Sequence, residues 1–417
     1  MISANQTISI TMLLDVGKMY HDMGCSPRVL WNDSGMIAYS GQREWSMKPE
    51  SFRIAYLIDD LSFGGAQKQL ALIVEALPEP FVPLVCCLSE STSPFGKILV
   101  NQGVEVLSFR RRSHFDLLRL ISVTRTLARY DVDIIQGFLD ASSAYAYLAG
   151  WMLRKPTVLT LRSDRISLKG LRGHLLHAMY KRAAKVMVNS KAGETYLLNY
   201  AGLARDKVEL IRNWFPPGGI PPRREVSDRH EEADKEEIIG YVGRFSTLKR
   251  LDMLIHAFRK VSQSRPDAKL VLIGQGEVRD DLETLRQELG LTESVDIREP
   301  VIDVIDAMKR FSCFVLSSSY EGLPNVVIEA LAAGIPVVAG SIGDVRDLVI
   351  NGRTGVLVEE ITPDTLADAI SKVLSDPALA ESAKREGPRL VSEHFSIDAC
   401  VKKLLTMYEG LLGAKSP

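Results

Sequence analysis

The sequence predicts an α/β protein built of two doubly wound, parallel-sheet domains. Three observations carry that prediction. The chain has 417 residues, more than one hydrophobic core usually supports. Short apolar runs recur along it, separated by amphipathic stretches of helical period, as in buried parallel strands joined by crossover helices. One Pro/Gly-rich, then highly charged segment, Pro216–Glu237, breaks the alternation and reads as a linker between domains at 51–215 and 238–395.

Composition narrows the function classes. With 46% of residues apolar, the chain is globular. The net charge of −1 is unevenly spread, because residues 110–191 hold 16 Lys and Arg against 5 Asp and Glu. Within them Arg110, Arg111 and Arg112 precede Phe115, Leu117, Leu118, Leu120 and Ile121. That pattern suits a basic amphipathic surface meeting the inner face of a membrane or a lipid-pyrophosphate acceptor. An ordinary solvated face accounts for any one of these arginines taken singly. Nucleic acid is not expected, because neither interleaved aromatics nor a recognition motif accompanies the charge.

The five cysteines (Cys25, Cys86, Cys87, Cys313 and Cys400) are odd in number and mostly lie in apolar runs. They read as buried thiols of a reducing compartment, without metal-ligand spacing. No run reaches the length of a membrane span, and residues 1–46 lack a signal peptide's charged start and apolar core. The expectation is a cytoplasmic protein.

Residues 1–50 show no period and read as an unstructured, dispensable extension, with Met47 a candidate start. Phe52–Ile58 is the first strand. It leads through Gly64-Gly65 into an amphipathic helix ending near Leu77, and such a glycine pair lets backbone approach a ligand. By itself, such a pair is more often plain turn chemistry than a site. Further strands are expected at Val82–Leu88, Val104–Ser108, Val132–Gln136, Thr157–Leu161, Val186–Asn189 and Val208–Ile211. Their C-terminal ends, where an open α/β sheet binds ligands, carry Gln136-Gly-Phe138, Arg162-Ser-Asp164 and Asn189-Ser190. Arg162 and Asp164 are candidates for substrate contact, with a surface salt bridge as the alternative.

The second series opens with the strand Ile238–Val242 and then Gly243, Arg244 and Lys249. Arg grips phosphate oxygens in a fork and Lys adds a point charge, here near the start of a helix expected from Leu251. Lys269–Ile273 follows, with Gly274-Gln-Gly276-Glu277 after it. The third glycine of a dinucleotide fingerprint is missing, since Arg279 stands there, so a dehydrogenase is the least favoured enzyme. Val295–Arg298 is the next strand.

Phe314–Leu316 and Ile335–Ala339 bracket the stretch that the chemistry centres on. Pro324 suits a helix's first turn and Gly334 its end, and a second loop closes on Gly355. Helices are expected at Pro363–Leu374, at Leu379–Glu393 and, after Phe395-Ser-Ile-Asp398, up to Leu412. The free N–H groups around Asn325 and Val326, at the positive end of the helix dipole, form an anion site. Glu329 lies one turn further on the same face, roughly 6 Å along the axis. That is about the span from a nucleotide's phosphate to its ribose, whose diol a carboxylate accepts. Glu321, on the preceding loop, lies on the phosphate's other side, where a sugar would be. For an arbitrary sequence, a capped helix with two solvated glutamates explains this pattern more often.

Glu321-Gly322-Leu323-Pro324-Asn325-Val326-Val-Ile-Glu329 resembles the paired-glutamate motif of the family 4 (group 1) retaining glycosyltransferases, and AAGIPVVAGSIGDVRDLVINGRTGVLV resembles its continuation. The resemblance covers the chain from about Phe52 to Leu412. It implies the GT-B arrangement, two facing Rossmann-like domains with an interdomain cleft, the first completed by the C-terminal segment 396–417. It implies a nucleotide-sugar donor of UDP or GDP type, held mainly by the second domain, with no cofactor and no metal. Arg244 and Lys249 would hold the diphosphate with Asn325 and Val326. Glu321 would meet the sugar and Glu329 the ribose, with Gly322 and Leu323 also binding the donor and Gly243, Gly276 and the backbone around Arg298 near the nucleotide.

Gly64 and Gly65 would face the cleft. Arg162 stands where many members carry a histidine, so it would meet donor phosphates or an anionic acceptor without relaying protons. Asp164 is then nearer an acceptor hydroxyl. Glu299-Pro300 replaces a common glycine and leaves the base open. The resemblance implies transfer to a hydroxyl with retention, the acceptor being a lipid-linked saccharide of surface polysaccharide assembly. The alternatives are a nucleotide-sugar epimerase or hydrolase, and a silent partner that binds nucleotide sugar or glycan.

Overall fold

The structure, a computed structural model, describes residues 30–31, 36–39, 51–111, 116–162, 170–215 and 237–413. Arg112, Phe115, Asp164, Cys25 and the linker residues 216–236 lie outside them.

The described strands are β1 (Leu30–Trp31), β2 (Met36–Tyr39), β3 (Phe52–Ile58), β4 (Phe81–Cys87), β5 (Glu105–Phe109), β6 (Ile134–Gly137), β7 (Thr157–Leu161), β8 (Lys185–Val188) and β9 (Val208–Leu210). The second series is β10 (Ile238–Val242), β11 (Lys269–Ile273), β12 (Val295–Arg298), β13 (Cys313–Leu316), β14 (Val337–Gly340) and β15 (Gly355–Val358). They form two sheets, ordered β1-β2-β5-β4-β3-β6-β7-β8-β9 and β12-β11-β10-β13-β14-β15. From β5 to β9 and throughout the second sheet, neighbours are parallel. The expected doubly wound pair is present.

Both faces of the first sheet are covered, which is why its strands read as unbroken apolar runs. Along β3, Ile54, Tyr56 and Ile58 enter one core cluster while Ala55 and Leu57 enter another. The Ile397–Leu412 helix returns from the second domain to the first, burying Cys400, Leu404, Met407 and Tyr408 beside β3. The Tyr408 hydroxyl lies 3.1 Å from that of Tyr56. Phe215 and Ser396 form a bridge, so the two passages between domains lie side by side.

One expectation needs correction. The extension before residue 51 is not wholly unstructured, since β2 pairs antiparallel with β5, Met36 opposite Phe109. It satisfies the edge of β5 that would otherwise stand open, and four residues are too few to show a period. The loop expected to close on Gly355 does so, and Gly355 then opens β15, a strand not expected from the sequence, which pairs Gly355 with Val337. Other strand ends differ by one or two residues. Among the described residues no helix is long and apolar enough to cross a membrane. The four described cysteines are buried and unpaired, and burial pushes the thiols of Cys87 and Cys313 up to about 11 and about 12.

Candidate active site between the domains

Each sheet reverses its winding once, between β3 and β6 in the first and between β10 and β13 in the second. Such switch points open a crevice at the strands' C-terminal ends. β3 leads there into Gly64-Gly65 and β6 into Phe138. β10 leads into Gly243–Lys249, and β13 into Ser317–Pro324.

The last two loops are pinned together. Ser317 Oγ donates to the Lys249 carbonyl at 2.7 Å, and Ser319 N to the Leu248 carbonyl at 2.9 Å. This clamp brings Lys249 Nζ onto the Glu321 carboxylate, which also accepts from Ser318 Oγ at 2.6 Å. Arg244 is 77% exposed and only loosely paired with Glu277, at 3.7 Å. Its fork is available to a ligand.

Pro324 is the cap rather than the first turn of the Asn325–Ala332 helix, with extended backbone at φ −76° and ψ 117°. The helix ends as expected at Gly334, whose φ of 70° is left-handed. Glu329 is 3% exposed and pairs with Lys68 of the Gly65–Ala76 helix on the opposite domain. Burial raises the Glu329 pKa, and Lys68 pulls it back.

Asn325 crosses the cleft. Its Nδ2 donates to the Gly65 carbonyl at 3.1 Å, and its Oδ1 accepts from Asn213 Nδ2 at 2.6 Å. Gly65 permits this approach, because a Cβ there would sit 2.9 Å from Asn325 Nδ2. Asn213 Oδ1 accepts in turn from Arg162 at 3.0 Å. The Arg162 guanidinium lies 4.6 Å from the Phe138 ring centroid, and its buried Nε has no hydrogen-bond partner. Burial pushes its pKa down to about 9, so it stays charged at neutral pH. A second bridge lies at Asp344, whose carboxylate accepts from the N–H groups of Lys191 and Ala192 at 2.8 and 3.2 Å.

The nucleotide side is less convergent. Gly243 N donates to the Ile273 carbonyl at 3.0 Å, and a side chain on Gly276 would run into the Phe245 carbonyl. The Arg298 side chain turns aside to Asp296, at 2.7 Å. Arg279, standing where a third glycine would be, donates to the Gly274 carbonyl at 3.2 Å and pairs with Glu299 at 3.1 Å. It braces the turn that a fingerprint glycine would have left open.

Residues 222–390 match the family model for group 1 glycosyl transferases, and residues 63–217 match that for glycosyltransferase family 4. The chain belongs to this family of glycosyltransferases. An uncharacterised glycosyltransferase of Methanocaldococcus jannaschii is 30% identical over 54% of this chain and 60% of its own length. The chain thus matches less than two thirds of that relative. The lipopolysaccharide core biosynthesis glycosyltransferase LpsD of Rhizobium meliloti is 27% identical over 83% of this chain and 95% of its own. In fold, the crystal structure of Anabaena HepE in complex with UDP-glucose superposes with a TM-score of 0.74, at 21% identity, over 86% of this chain and 99% of that one.

For this glycosyltransferase, the structure assembles Lys249 with Glu321, Glu329 with Asn325 and Gly65, and Arg162 within two hydrogen bonds of Asn325. Gly322 and Leu323 lie on the same loop, where their carbonyls accept from Asp344 N at 3.2 Å and Asn213 Nδ2 at 3.4 Å. Val326 is half-buried on the helix's first turn. Gly64 stays exposed beside its own Gln67. Three cleft residues escape a reading of the sequence alone, namely Lys68, Asn213 and Asp344. The only local signal for Lys68 is a cation in the first turn of a helix, where the dipole disfavours it.

Proposed function

We propose that this glycosyltransferase moves a sugar from a UDP- or GDP-type nucleotide sugar to a saccharide hydroxyl, retaining the anomeric configuration. The observation that carries the reading is one helix start, Asn325–Val326, flanked by two lysine-held carboxylates, Glu321 and Glu329. The diphosphate sits at the helix start with Arg244 and Lys249, which neutralise the leaving group without a metal or cofactor. Glu329 accepts the ribose hydroxyls, and Glu321 orients the sugar beside its anomeric carbon. The acceptor oxygen bonds to that carbon as the carbon–oxygen bond to the β-phosphate breaks. The electron pair leaves with the diphosphate, and a phosphate oxygen on the same face takes the acceptor's proton.

Arg162, a cation without a carboxylate partner among the described residues, meets an anionic group of the incoming acceptor. The name of LpsD, together with exposed Leu117, Leu118 and Trp151 in the basic region of the first domain, supports a lipid-linked saccharide as acceptor and peripheral contact with a membrane's inner face.

The test is thermal stabilisation by UDP, GDP and ADP, with and without EDTA, alongside turnover of the matching nucleotide sugars. One nucleotide should stabilise the protein regardless of EDTA, and Glu329→Ala should lose that shift. Glu321→Gln should keep it and lose turnover. Normal turnover in both variants would sink the assignment.

A further inference from the structure

Lys68 stands in the first turn of the Gly65–Ala76 helix, its N–H bonded to the Gly64 carbonyl at 3.0 Å. A helix's first turn is its positive end and favours acidic side chains, yet this one has none. Within its own domain the cation is therefore badly placed. Its compensation comes from across the cleft, where its ammonium meets Glu329.

Glu329 needs that partner. Its side chain is 4% exposed, against 25% for Lys68, and a carboxylate so buried tends to take up a proton. Lys68 and Asp303 are the charged groups acting on it, Lys68 favouring the ionised form and Asp303 opposing it. Ionised, both of its oxygens act purely as strong acceptors for hydroxyls; protonated, one oxygen becomes a donor and only part of that acceptor capacity remains. The ion pair uses Oε1, and a carboxylate's two oxygens offer about four acceptor sites. Lys68 and a diol can thus share the group. Leu72, Trp214, Phe215 and Ile328 line the same recess and limit water there.

We propose that Lys68 is the positioning residue of the ribose site, holding the Glu329 carboxylate from the opposite domain so that the nucleotide site is complete only when the domains are closed. This rests on the reading of Glu329 as the ribose acceptor. It assigns the first domain a part in binding the donor, through a residue that touches no reacting atom.

The test measures UDP and GDP affinity of the full chain by calorimetry from pH 5 to 8, in wild type, Lys68→Met, Lys68→Arg and Glu329→Ala. Wild-type affinity should fall as pH drops through the raised pKa of Glu329, because protonation removes an acceptor. Lys68→Met should weaken binding about tenfold or more and move that fall to higher pH, since the charge opposing protonation is gone. Lys68→Arg should restore both. If Lys68 instead only latches an empty cleft, Lys68→Met will bind nucleotide as tightly as wild type or tighter, with no displaced pH profile, and the inference is overturned. Glu329→Ala separates the two levels. Retained affinity there defeats the ribose reading itself, whereas lost affinity with an unaffected Lys68→Met defeats only the role of Lys68.

Discussion

At the scale of single residues, the cleft pairs most of its cations with carboxylates and leaves one exception among the described residues. Lys249 is held to Glu321 and Lys68 to Glu329, whereas Arg162 has a ring face and an asparagine but no counter-charge among the described residues. A buried cation without an anion costs stability that a partner would return. Arg162→Gln keeps a donor for Asn213 and removes the charge. Its melting temperature should equal or exceed that of wild type, while turnover with an acceptor bearing phosphate or carboxylate falls. A clear loss of thermal stability in calorimetry would show that the guanidinium is structurally compensated and not held ready for a ligand.

The elements divide between those that build the cradle and those that present it. The Asn325–Ala332 helix sets Asn325 and Glu329 one turn apart, and the Gly65 loop lies against it. Because a Cβ at position 65 would crowd Asn325, Gly65→Val should push the loop away and weaken nucleotide binding without lowering the melting temperature by more than a few degrees. Titration with the stabilising nucleotide checks this, and unchanged affinity would remove the loop from the site. On the outer side, Leu117 and Leu118 are 67% and 61% exposed at the start of a helix that reaches the Met152 sulfur through Thr124 at 3.9 Å. Trp151, the residue before Met152 on its helix, is 72% exposed. If this face meets an anionic bilayer, Leu117→Glu with Leu118→Glu should abolish co-flotation with vesicles containing anionic lipid. Turnover of a water-soluble acceptor should not change.

Across the whole molecule, the two switch points face each other through a thin set of polar contacts. The bridges include Asn325 to Gly65 and Asn213, Asn213 to the Leu323 carbonyl, Lys68 to Glu329, Asp344 to the Lys191 and Ala192 amides, and Asp347 to the Lys191 ammonium. Few in number and polar, although Glu329 and Asp344 themselves are buried, these contacts suit two bodies that part and close about the paired passages at Phe215 and Ser396. Asp344→Ala leaves two amides unanswered at the interface. Small-angle scattering of that variant should show a larger radius of gyration than wild type without nucleotide, with nucleotide narrowing the difference. Identical scattering would mean that Asp344 does not hold the closed form.

By itself the sequence determined the two doubly wound domains and the spacing of the cradle. Strands buried on both faces are apolar along their whole length, and residues 325 and 329 share a helix face whatever surrounds them. It did not reveal β2 and β15, because short strands at or next to a sheet's edge are defined by the neighbour that they pair with. The partners across the cleft were equally hidden. Lys68 and Glu329 lie 261 positions apart, Asn213 and Asn325 112, and Lys191 and Asp344 153. No local period or motif spacing records such distances. Only the docking of one domain on the other decided which cation each buried carboxylate meets, because burial and charge pairing are properties of the closed surface and not of either chain segment alone.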